Sequence, residues 1–199
     1  VLYRSRARYA TQQPRHFPLS IDRAQTCVAT DRRGNLPSWP YRTAEGRANS
    51  MPYWLMKSEP DEFSILDLEK QHQARWDGVR NYQARNFLRT MAEGDLFFFY
   101  HSSCAVPAIA GIGRIARPAY ADPTALQPDS PYFDAKACAE KNAWSAVDVA
   151  FVERFATPIT LTRLKAEAAL AQLPLVQKGS RLSVMPVNPA EWTAVLALR

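Results

Sequence analysis

The order of elements legible in the chain, β-α-α-β-β-loop-β-α-β-α, predicts an α+β fold: a mixed sheet curled into a small barrel with helices around it. Three observations carry this expectation. Strands and helices do not alternate regularly, which disfavours a doubly wound parallel sheet. Two apolar runs of strand length, 96–100 and 108–115, follow one another directly. Each predicted helix opens at a Ser, Asn or Thr able to cap it.

The elements follow in order. Residues 53–57, Tyr-Trp-Leu-Met-Lys, have the aromatic and apolar content of a short buried strand. Ser64, followed by Asp67, caps a helix over 65–71. Asn81 opens a second over 82–91, and Gly94 stops it. The runs 96–100 and 108–115 are strands, the latter bounded by Pro107 and Pro118. Residues 120–145, rich in Pro and Asp, form a long ordered loop. Val147, Val149 and Phe151 alternate with Asp148, Ala150 and Val152, so 147–155 is a half-buried strand. Thr160 caps a helix reaching about Leu170, and 181–187 is a strand. Asn188-Pro189 sets a cap and a first-turn proline before a helix over 190–198.

Residues 1–50 show no periodicity and are interrupted throughout by Pro, Arg, Ser and Gly. They read as a disordered Arg/Pro-rich segment, with a targeting peptide as the alternative. Met51 opens a sharply different register. It is the expected natural start, with 1–50 as translated upstream sequence, so the folded domain spans 51–199.

The net charge of +6 lies wholly in the first fifty residues, where nine arginines face only Asp22, Asp31 and Glu45. Residues 51–199 hold sixteen basic and sixteen acidic side chains, so the high pI does not by itself argue for a polyanion partner. Cys27, Cys104 and Cys138 are odd in number and far apart, which argues against a disulfide framework and points to a reducing, cytoplasmic setting. His16, His72 and His101 lack zinc-site spacing, and neither metal nor cofactor is expected. No apolar run approaches the roughly 20 residues that span a bilayer. The expected state is a monomer.

Two motifs mislead. Gly111-Ile112-Gly113-Arg114-Ile115-Ala116 satisfies a dinucleotide fingerprint, but Pro118 follows with no helix to receive a pyrophosphate. The glycines there allow a strand to bend or another backbone to approach. His101 beside Ser102, Ser103 and Cys104 invites a nucleophile argument, but neighbours in sequence are not a triad, and no enzyme activity is expected.

The informative stretch is Arg75 to Asn86, which gathers aromatic, guanidinium and amide groups. Trp76 and Tyr82 offer faces for a base, Asn81 an amide for its edge, and Arg80 and Arg85 charges for phosphates. The plainer alternative makes Trp76 core and the arginines a solvated helix face. Lys57-Ser58-Glu59-Pro60 and Tyr100-His101-Ser102-Ser103 end two strands, where polar groups line a barrel mouth. Lys178 to Val187 forms a fourth cluster, with Arg181 entering the strand.

Together these segments resemble the EVE domain family over almost all of 52–198. The resemblance is carried by Tyr53 to Pro60, Trp76 to Asn86, Gly94-Asp95, Phe99 to Ser102, Ala121-Asp122-Pro123-Thr124 and Arg181 to Val187. It implies a PUA-like mixed-strand pseudo-β-barrel with flanking helices. It also implies a non-catalytic nucleic-acid-binding module that reads a modified base in DNA, a modified cytosine such as 5-methylcytosine or 5-hydroxymethylcytosine. By analogy with the related YTH domains, Lys57, Ser58 and Trp76 line the base pocket, with His101 and Ser102 adding polar groups. No second aromatic stands in the loop 102–107, which favours a half-open pocket. The expected base site is Lys57, Ser58, Trp76, Asn81, Tyr82, His101 and Ser102, with Arg80, Arg85 and Arg181 on phosphates. The alternative is an RNA-binding accessory domain acting on tRNA or another structured RNA.

Overall fold

The computed structural model describes residues 53–199. The expectations for 1–50 and for Met51 lie outside the described residues. A six-stranded sheet forms the centre, in the order β2-β5-β4-β3-β1-β6. Its strands are β1 (Tyr53–Ser58), β2 (Gln73–Trp76), β3 (Leu96–His101), β4 (Ala108–Ala121), β5 (Ser145–Thr160) and β6 (Val184–Val187). The helices are α1 (Ile65–Gln71), α2 (Tyr82–Thr90), α3 (Leu161–Ala166) and α4 (Pro189–Leu196). The sheet is mixed, as expected. β1 runs parallel to β3, because α1, β2 and α2 supply the long crossover that parallel strands require. All other pairs are antiparallel. β2 and β6 are the edges, so the expected barrel is an open one.

Both faces of the sheet are covered. One face buries Trp54, Met56, Phe97 and Phe99 against Ile65 and Leu68 of α1 and Ala84 and Leu88 of α2. The other buries Leu55, Phe98, Ile109 and Met185 with Leu164 of α3 and Trp192 of α4. This explains why Leu96 to Tyr100 is apolar without alternation: successive side chains enter two different cores. Each such aromatic or aliphatic side chain contributes about 1.5–3 kcal/mol by burial. Trp192 anchors its face by stacking on Phe98 at 3.9 Å and on Tyr53 at 4.4 Å between ring centroids.

One strand is additional to the sequence expectation, and four elements have different bounds. β2 answers to no element read from the sequence; it has no apolar alternation and forms because β5 offers it an edge, with Trp76 opposite Val147. β4 and β5 run on through Pro118 and Pro158, well past the expected ends. Both prolines are exposed and fall where the β4–β5 register shifts, so no ladder N–H is missing there. The helix after Thr160 stops at Ala166, and a 3-10 turn (Ala168–Leu170) begins where the Glu167 carboxylate accepts from the Ala169 amide. Lastly, β6 begins at Val184 rather than 181, although the Lys57 amide still bonds the Ser183 carbonyl at 2.8 Å. Among the described residues no helix is long and apolar enough to cross a membrane.

The glycines of β4 play the part expected of them. A Cβ on Gly111 would stand 2.3 Å from the Glu153 carbonyl of β5, and one on Gly113 would stand 2.3 Å from the Phe97 ring. The neighbour of Gly111 is main chain and cannot turn aside. Gly111→Ala is therefore expected to cost about 1–3 kcal/mol by overpacking, read as a lower urea midpoint with an unchanged denaturant slope.

Candidate nucleic-acid interface

Parallel pairing sets the C-terminal ends of β1 and β3 side by side, with Ser58 opposite His101. The Ser102 amide bonds the Ser58 carbonyl at 2.9 Å and locks the two ends together. Alternation along each strand then sorts the side chains. Ser58 and His101 fall on the face of Trp54, Met56, Phe97 and Phe99. Lys57 and Tyr100 fall on the other. Lys57 was expected beside Ser58 in one pocket; the period of two separates them. Burial also pulls the Lys57 ammonium below its usual pKa.

His101 is engaged by α1. Its Nε2 accepts the amide N–H of Ile65 at 3.1 Å, satisfying one of the helix's free N-terminal donors. Phe99 packs against the ring at a right angle, 5.5 Å away. Burial lowers the imidazole pKa, with Asp67 opposing it more weakly, so the ring is neutral near pH 7.

Trp76 does not present the open stacking face expected of it. It is 5% exposed, with Phe63, Phe97 and Phe99 edge-on within about 6 Å. β2 turns it into the sheet's inner face, where water-excluding contacts outweigh any exposed role.

Arg80 requires a further correction. It was expected on a phosphate, but it is consumed inside the protein. Its guanidinium bonds the Asp122 carboxylate at 2.7 Å, Thr124 Oγ1 at 3.1 Å and the Tyr132 carbonyl at 3.0 Å through Nε. The Arg80 side chain is 11% exposed and Asp122 not at all. Asp122 also accepts from the Gly78 amide and from the amide and hydroxyl of Thr124. Burial alone would push this carboxyl up, but the donors of Thr124 and Arg80 outweigh it and hold it below the usual range. Gly78 sits at φ +73°, and a Cβ there would meet the Tyr132 ring at 2.8 Å.

The remaining expected residues lie at the start of α2 and beyond it. Asn81 caps α2 as expected, its Oδ1 accepting from Gln83 and Ala84. Tyr82 is 62% exposed and stacks on Trp144 at 5.0 Å. The Arg85 guanidinium lies 4.9 Å from the Tyr82 ring centroid and bonds the Ala143 carbonyl. Arg89, one turn on, shares that carbonyl. Arg181 is exposed, two residues before the Ser183 carbonyl that meets Lys57.

Three organising residues, Asp122, Tyr132 and Trp144, fall in the stretch expected as a long ordered loop, and of these only Asp122 belongs to a motif singled out in the sequence. The Asp122-Pro123-Thr124 motif carried a local signal: an Asp before Pro, with Thr following, caps the 3-10 turn Pro123–Leu126. Nothing local marked Trp144, which lies 62 residues from its stacking partner.

Comparison with known proteins adds to this geometry. The EVE domain family model matches residues 52–198. Human thymocyte nuclear protein 1 is 40% identical over a stretch covering 75% of each chain. A solved Pseudomonas syringae protein is 70% identical, with a TM-score of 0.72, over 73% of this chain and 98% of its own. The structure of human THYN1 protein in complex with 5-methylcytosine-containing DNA is 41% identical, with a TM-score of 0.70, over 73% of this chain and 96% of its own. The fold is thereby PUA-like, as the sequence resemblance implied.

Asp122→Asn leaves the Arg80 charge buried beside a neutral amide, and should destabilise the protein by about 3–5 kcal/mol near neutral pH. The folded carboxyl titrates below its ordinary 3.8. Its contribution is therefore complete above that value and is lost as pH falls through the lower folded pKa. Urea unfolding of both proteins should show the gap between them narrowing below about pH 4.

Proposed function

The chain belongs to the EVE domain family, and from that premise we propose that it is a DNA-binding module that recognises a modified cytosine without altering it. The observation that supports this most is the shared fold with human THYN1 protein, solved with 5-methylcytosine-containing DNA. The target base leaves its stack, which costs a few kcal/mol and must be recovered by contacts at the site. His101 and Ser102, both partly exposed, supply polar groups for the base edge at the ends of β1 and β3, with Ser58 buried beside them. Asn81 and Tyr82 lie at the start of α2, where Tyr82 offers an aromatic surface backed by Trp144. Arg85 and Arg181 are the phosphate contacts, and Arg80 and Trp76 support the site from within.

Two observations favour reading over chemistry and selectivity over bulk attraction. The Nε2 of His101 already accepts the Ile65 amide, so it is not free to take a proton from Ser102. Residues 51–199 carry no net charge, so the attraction of this region to the bare DNA backbone is modest and its selectivity comes from the base.

Binding of the full chain to fluorescent oligonucleotides at fixed salt tests the proposal. DNA with 5-methylcytosine should bind more tightly than the same DNA with cytosine, and more tightly than matched RNA. DNA with 5-hydroxymethylcytosine in the same set defines the modification preferred. Equal affinity for all, or tighter RNA binding, would sink it. Tyr82→Ala should weaken DNA binding by about 1–3 kcal/mol, roughly five- to a hundredfold, with little change in melting temperature because the ring is 62% exposed.

A further inference from the structure

We infer that His101 is a fixed hydrogen-bond donor whose Nδ1–H meets the N3 ring nitrogen of the bound base, and that it separates methylated cytosine from thymine. The inference rests on the modified-base reading above and names the residue that completes it.

The donor is fixed by the backbone. An imidazole nitrogen that accepts a hydrogen bond carries no proton, so with Nε2 accepting from Ile65 at 3.1 Å the neutral ring holds its single proton on Nδ1. The Ile65 amide belongs to a residue only 3% exposed at the first position of α1, so water is a poor substitute partner for it. The opposite tautomer would set two N–H groups against each other. Burial keeps the ring neutral, and Asp67 is the charged group that acts on it in the other direction. The ring plane is held by Phe99, edge-on at 5.5 Å.

Among the described residues Nδ1 has no hydrogen-bond partner, and the side chain is partly exposed at the strand ends beside Ser58 and Ser102. A donor held in place with nothing to bond is what a base-reading site needs. Its polarity determines what it accepts. Thymine carries the same C5 methyl group as 5-methylcytosine, so contact with the methyl cannot tell them apart. At ring position 3 the two are opposite: cytosine presents a lone pair and thymine an N–H. A fixed donor bonds the first and repels the second, and an unpaired buried donor is costly to leave behind.

Two substitutions separate this role from the helix-capping one. His101→Gln places an amide oxygen near the position of Nε2, keeping the Ile65 bond while removing the Nδ1 donor. His101→Asn does the reverse. The measurement is full-chain affinity for duplexes that differ at one position, 5-methylcytosine·guanine against thymine·guanine. The mispair is easier to open, so a preference for the methylated base arises in the site. Wild type is expected to prefer 5-methylcytosine. His101→Gln should unfold at the wild-type urea midpoint and lose the preference by a factor on the order of ten. His101→Asn should unfold more easily and keep it. Ring nitrogen shifts of His101 should report the Nδ1–H form, moving when methylated DNA is added. A wild-type ratio retained by His101→Gln, or an Nε2–H ring, overturns the inference while leaving the base reader standing. A wild type that does not favour 5-methylcytosine over cytosine removes the base reading and this inference together.

Discussion

The Asp122 carboxylate, wholly withdrawn from water, holds the candidate interface in shape. It collects donors from Gly78, Arg80 and Thr124, while its own carbonyl accepts from Asn142 at 2.8 Å and its amide bonds the Trp144 carbonyl. A charge so buried is tolerated only when every lone pair is matched. The segment 77–81 is therefore pinned against 122–144. Two features of the surface follow. Asn81 is delivered to the start of α2, and Trp144 is brought under Tyr82. Arg80 lies 5.2 Å from the Trp144 ring and 5.4 Å from the Tyr132 ring, so the guanidinium that neutralises Asp122 also packs the aromatics.

A second constraint acts at the far ends of β1 and β3. Their parallel pairing juxtaposes Ser58 and His101, and the return of the chain into α1 leaves the Ile65 amide in need of an acceptor. One bond then serves structure and chemistry together. It satisfies a helix terminus and it decides which histidine nitrogen carries the proton. The alternation of the strands does the sorting, sending Lys57 to the opposite face from Ser58 although the two are adjacent in sequence.

Much of the frame was legible locally. The capping boxes Ser64–Asp67 and Asn188–Glu191 and the cap Asn81 are short-range interactions, and each opens the helix it was expected to open. The unbroken apolar run into β3 signalled a strand, and the structure covers that strand on both faces. The glycines of β4 announced close approach by a neighbour, though not that the neighbour would be the Glu153 carbonyl. Six of the ten expected site residues stand where their sequence context put them: Asn81, Tyr82 and Arg85 in the first part of α2 or its cap, and Ser58, His101 and Ser102 at the ends of β1 and β3. Trp76 and Arg80 were assigned by residue type, and type alone does not distinguish a tryptophan facing a ligand from one facing phenylalanines.

The sequence by itself determined the fold class, the helix starts, the central strands and the family, because caps, periodicity and motif order act within a few residues. Only the tertiary structure decided that β2 exists, that β4 and β5 continue past their prolines, and that Arg80 belongs to Asp122 rather than to solvent. Those outcomes depend on partners that the chain brings together only when folded: Trp76 opposite Val147, Arg80 against a carboxylate 42 residues away, His101 against an amide 36 residues before it. Burial and hydrogen bonding assign such roles, and both are properties of the surroundings rather than of the residue.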